Sequence, residues 1–132
     1  MTIARDLTAR LRAALVQCGA SEEDAGRVGV TQAADLRFGD YQSNAAMVLA
    51  KAARKNPRAL AEEIIEAIDV EGVAEMEIAG PGFLYFRVSP SGFVGKVAAM
   101  FADERLGVDA VSNPETVVVD FSAPNVAKPM HV

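Results

Sequence analysis

The residue types best equipped for chemistry crowd into residues 116–132, TVVVDFSAPNVAKPMHV. Asp120, Ser122, Asn125, Lys128 and His131 there offer a carboxylate, a hydroxyl, a carboxamide, an ammonium and an imidazole in one short run. Val117, Val118 and Val119 precede them, an unbroken β-branched run that suits a strand buried on both faces, as in a parallel α/β sheet. Asp120 ends that run, and Pro124 cannot continue a central strand because it lacks the ladder N–H. A buried strand is therefore expected to lead into a polar turn. In open α/β sheets ligands sit just beyond the carboxyl ends of strands, which makes these side chains candidates for ligand contact. His131 is the only histidine, and on composition alone a single histidine carries little meaning.

The string DFSAPNVAKPMHV resembles the start of the catalytic domain of arginyl-tRNA synthetases. In that family a strand ending in an acidic residue runs into Phe-Ser-Ser/Ala-Pro-Asn, then Lys-Pro, then the class I signature His-x-Gly-His. The resemblance implies an arginine–tRNA ligase activity in which the arginine carboxylate attacks the α-phosphate of ATP and pyrophosphate leaves. Charge builds on phosphate oxygens in that step, so N–H donors and cations held in place help most. The resemblance also implies roles. His131 matches the first signature histidine, which faces the phosphates beside a helix N-terminus. Lys128 meets a phosphate or carboxylate. Ser122 and Asn125 hydrogen-bond the α-amino and carboxylate groups of the amino acid. Asp120 attracts the cationic substrate or serves the strand end structurally. Ala123 stands where the family often has Ser, so that hydroxyl is missing here. ATP is expected as a substrate accompanied by Mg2+, with no tightly bound cofactor. The signature begins at His131-Val132 without its Gly-His half. The chain is thus expected to be a fragment, inactive alone, of an enzyme whose guanidinium pocket and anticodon-binding domain lie beyond Val132.

The elements before this stretch must make a domain of their own. The chain has 132 residues, 51% hydrophobic and 23% charged, as one globular domain does. No apolar run approaches a membrane span, and charges spread through MTIARDLTARLRAAL exclude a secretory signal. Cys18 is the single cysteine, which excludes an internal disulfide and fits a reducing cytoplasm. One Cys and one His cannot build a structural zinc site. A net charge of -5 argues against non-specific nucleic-acid binding, so any RNA contact must use a local patch.

Ile3, Leu7, Leu11 and Leu15 repeat every fourth position and predict a helix over 2–18, with Thr2 at its cap and Gly19 at its stop. Val28 to Ala33 gives a weak strand signal. The run FGDYQSN at 38–44 predicts a turn at Gly39 and an Asp40 cap on a helix from Tyr41 to Lys55, with Val48, Leu49 and Ala52 inward. It also resembles the FGDY-x-x-N segment of the synthetases' N-terminal additional domain. Lys51, Arg54, Lys55 and Arg58 make a basic cluster, a solvated face with phosphate contact as the alternative. Asn56-Pro57 restarts a helix whose face is Leu60, Ile64, Ile65 and Ile68.

Residues 73–88 predict a hairpin about Gly80-Pro81-Gly82. Alternation puts Leu84, Phe86 and Val88 on one side and Phe83, Tyr85 and Arg87 on the other. Aromatics beside an arginine suit stacking on unpaired RNA bases; the alternative is a cross-strand pair of Arg87 with Glu75 or Glu77. The string AGPGFLYFRV resembles the family's GPGF-x-x-F strand, which implies a contact to the D-loop at the tRNA elbow. Ser89-Pro90 predicts a last helix with Phe93, Val97, Met100 and Phe101 as its apolar face, and 103–115 a linker.

The expected fold is α+β: a small, largely antiparallel sheet with helices on one face, followed by the first strand of a truncated Rossmann-type domain. Residues 1–110 form the additional domain and 111–132 the linker and first catalytic strand. Expected partners of the parent enzyme are tRNA(Arg), arginine and ATP, in the cytoplasm and without a membrane. Self-association through the terminal valine strand is expected of the fragment. The alternatives are a protein-interaction domain without RNA function and another His-x-Gly-His nucleotidyl transferase.

Overall fold

A computed structural model describes residues 2–120. Helix α1 (Ile3–Gln17) forms where the leucine stripe predicts it, with Thr2 Oγ1 accepting from the Arg5 N–H. A short α2 (Glu22–Gly26), capped by Ser21, turns the chain back. Then follow β1 (Thr31–Gln32), β2 (Tyr41–Ser43), α3 (Ala45–Ala53), α4 (Pro57–Ala67), β3 (Ala74–Ala79), β4 (Phe83–Val88) and α5 (Pro90–Ala102).

The strands make one antiparallel sheet in the order β1-β2-β4-β3. Its inner face carries Leu84 and Phe86, both without solvent exposure. Helices α3 and α4 pack on this face, and α1 packs on α4 and α2. Leu7, Leu11, Leu15, Leu60 and Ile64 join Leu84 and Phe86 in one cluster. Each such side chain contributes about 1.5–3 kcal/mol on burial. The fold is the expected α+β arrangement, and among the described residues no helix is long and apolar enough to cross a membrane.

Five local expectations are corrected. Tyr41–Ser43 is a strand, not a helix start, because it fills the gap between β1 and β4, pairing Tyr41 with Phe86 and Ser43 with Leu84. Asp40 therefore caps no helix; its carboxylate accepts the Val88 N–H at 2.8 Å. The helix begins only at Ala45, and its buried residues are Ala45, Ala46, Leu49 and Ala50, while Val48 and Ala52 face solvent. The last helix forms as predicted behind its Ser89 cap, but it buries no residue. Val117, Val118 and Val119 form no strand and are exposed, since no described element covers them.

Candidate nucleic-acid interface

The outer face of the sheet is written by the register of β3, β4 and β2. Opposite Phe83, Tyr85 and Arg87 of β4 lie Ala79, Glu77 and Glu75 of β3, and Gln42 of β2 flanks Tyr85 on its other side. The alternation read from the sequence is the one observed: Leu84 and Phe86 are buried, Phe83 and Tyr85 half-buried, and Arg87 exposed. The ring centroids of Phe83 and Tyr85 are 6.2 Å apart. A third ring extends the row, because Phe38 approaches Tyr85 with centroids at 5.2 Å. The hairpin and the loop after β1, separate segments in the sequence, are thus one surface.

That loop is braced locally. Asp35 accepts a forked pair of hydrogen bonds from Arg37, Nε to Oδ1 at 3.0 Å and Nη2 to Oδ2 at 2.7 Å. These bonds hold the Asp35 carboxyl below the usual carboxylate range. The Arg37 guanidinium carbon sits 6.0 Å from the centre of the Phe38 ring. Arg87 Nη2 donates to the Arg37 carbonyl at 2.9 Å. Among the described residues no ion pair joins Arg87 to Glu75 or Glu77, so the cross-strand pairing weighed from the sequence does not form. Sequence spacing does not single out Arg37.

The backbone behind the loop lies against β4. Asp40 N–H donates to the Phe86 carbonyl at 2.8 Å. A Cβ built at Gly39 would stand 2.8 Å from the same oxygen, so only glycine fits there. Ser43 is buried and donates its hydroxyl to the Gly29 carbonyl. The FGDYQS run thereby acts as the frame of the row of rings, with Phe38 its single exposed member on that row.

The other candidates lie apart. In the basic cluster, Lys55 pairs with Glu63 and Arg58 with Glu62, and Arg58 Nη1 donates to the Gly80 carbonyl at the hairpin turn. Cys18 lines a cavity of about 320 Å³ with Leu15, Leu49 and Leu60. Burial, then the Glu63 carboxylate, push its thiol above the ordinary value, against a smaller pull from Lys55. Asp120 is exposed and outside any element. Ser122, Asn125, Lys128 and His131 lie outside the described residues.

Comparison with known proteins gives two family matches. The family described as "Arginyl tRNA synthetase N terminal domain" matches residues 5–88, and "tRNA synthetases class I (R), catalytic domain" matches residues 96–132. An arginine–tRNA ligase of Rhodopirellula baltica is 49% identical over 104 residues, 78% of this chain and 16% of that protein. One from Synechococcus sp. (strain CC9605) is 43% identical over 138 residues, covering 100% of this chain and 23% of its own length. The chain therefore spans less than a quarter of these relatives. Among solved structures, the Thermus thermophilus arginyl-tRNA synthetase is similar with a TM-score of 0.59 at 25% identity, over 75% of this chain and 16% of that one.

Proposed function

Because the chain belongs to the arginyl-tRNA synthetase N-terminal domain family, we propose that it is the tRNA-contacting N-terminal part of a cytoplasmic arginine–tRNA ligase. The observation that carries this reading is the row Phe83–Tyr85–Phe38 on the outer face of the sheet, half-buried at Phe83 and Tyr85 and exposed at Phe38, ended by Arg37 and Arg87. Soluble domains turn such rings inward unless something is to cover them. Flat rings accept the face of an unpaired base whatever its identity, and the D-loop at the tRNA elbow presents such bases. In this reading Phe83 and Tyr85 stack, while Arg87 attracts phosphate.

Residues 120–131 serve the other substrates. Asp120, Ser122 and Asn125 hold arginine, and Lys128 and His131 meet the phosphates of ATP, where negative charge grows as pyrophosphate departs. Mg2+ enters with ATP as part of that substrate. These residues need the remainder of the ligase around them, so the 132-residue chain alone is catalytically silent.

The test uses the full-length ligase. Each aromatic stack on a base is worth about 1–3 kcal/mol. Phe83→Ala and Tyr85→Ala should raise KM for tRNA by roughly tenfold or more while arginine and ATP affinity stay unchanged. Unaltered tRNA kinetics in both variants, with the fold intact, would point to a protein-interaction domain instead.

A further inference from the structure

Helix α5 is mounted the wrong way round for a helix with one partner. Gly92, Gly95 and Ala99 line a cleft against Ile3, Asp6 and Val73, so its small side faces its own domain. Phe93, Val94, Met100 and Phe101 face solvent, Phe101 with 82% of its surface exposed. A surface helix ordinarily turns its large apolar residues toward the core. A contiguous apolar face left outside marks an interaction surface.

We infer that this face of α5 is the seat of the catalytic domain that follows in the same polypeptide, so that α5 is a helix shared by the two bodies. The catalytic-domain match begins at Lys96, inside the helix, and takes in Val97, Met100 and Phe101. The same match holds Val117, Val118 and Val119, a second exposed apolar run whose β-branched residues require cover on both sides. The relatives supply the body to cover them, since this chain spans only 16% to 23% of their length. Lys96 is the only charged side chain in α5, which disfavours an RNA or an anionic membrane as the occupant.

The inference rests on reading the chain as part of a longer ligase, and the test separates the two. Phe101→Asp removes an apolar side chain that the 132-residue chain leaves exposed, so thermal unfolding of that chain should not change. In the full-length ligase the same substitution should undock the domain and speed proteolytic cleavage within 103–115 by about tenfold, the loss of one buried aromatic; Phe101→Leu should restore resistance. Equal cleavage of wild type and Phe101→Asp overturns the inference, as does unfolding of the short chain by Phe101→Asp. It also falls if sedimentation shows a dimer of the short chain that Phe101→Asp abolishes while the full-length protein is insensitive, because the occupant is then a second copy. Failure of the wild-type full-length protein to charge tRNA would sink the ligase reading without touching the docking result.

Discussion

Asp40 joins parts of the chain that no local pattern connects. Its carboxylate takes the Val88 N–H at the end of β4, where the next strand pair would otherwise supply an acceptor. Asp40→Ala leaves that donor unpaired, at about 1–3 kcal/mol, and should lower the urea midpoint without changing the sheet's circular dichroism. Asn at the same position should retain part of the bond. Cys18 gives a prediction of a different kind. Its folded-state thiol titrates above the unfolded one, so its contribution to stability is present below the ordinary thiol range and is lost as pH rises through the raised value. Thermal unfolding should therefore fall more steeply at alkaline pH in the wild type than in Cys18→Ala, and alkylation at neutral pH should be slow. A reactive thiol with parallel pH profiles would contradict this. The sequence placed Cys18 at the end of the 2–18 helix, because a helical stripe is local. It misassigned Asp40, because the partner lies 48 residues away.

Elements whose pattern repeats were legible, and those defined by a neighbour were not. The α1 stripe, the Asn56-Pro57 restart and the 73–88 hairpin each show several turns or alternations of one period, and each formed within a residue or two of its expected bounds. Strand β2 has three residues, too few to show a period, and exists because β4 offers it an edge. Its discovery also explains the row of rings: pairing Gln42 with Tyr85 brings the preceding loop, and Phe38 with it, onto the hairpin. The two faces of β4 yield an opposed pair of substitutions. Phe86→Ala empties a fully buried site at about 3–5 kcal/mol, close to the whole stability of a small domain, and should leave little folded protein. Tyr85→Ala, on the next residue but the other face, should keep the urea transition near that of the wild type. Comparable losses from both would make Tyr85 a core residue and remove the basis of the RNA reading.

For the molecule as a whole, a net charge of -5 and a basic cluster in which Lys55 and Arg58 already pair with Glu63 and Glu62 leave few cations for phosphates. Binding that depends on rings, Arg37 and Arg87 should respond weakly to salt. A plot of log affinity for tRNA against log salt should have a slope of roughly -1 to -2, at about 0.7 per phosphate neutralised on a single strand. A slope several times steeper would mean that Lys51, Arg54 and Arg58 are the principal contacts. The substrate-site candidates Ser122, Asn125, Lys128 and His131 were legible as a motif and lie outside the described residues. The way α5 leaves the sheet carries a mechanical consequence. Ser89 donates to the Gly72 carbonyl, and a Cβ on Gly92 would stand only 2.6 Å from the Val73 oxygen. The helix is therefore clamped at its root by the Ser89 hydroxyl and by the close main-chain approach at Gly92. At 1.5 Å per residue it is a lever roughly 20 Å long, so each 10° of tilt at the root would carry the tip about 3 Å. Gly92 thus works as an alignment surface: any larger residue there would have to push the root of the helix away from the Val73 main chain and tilt its tip.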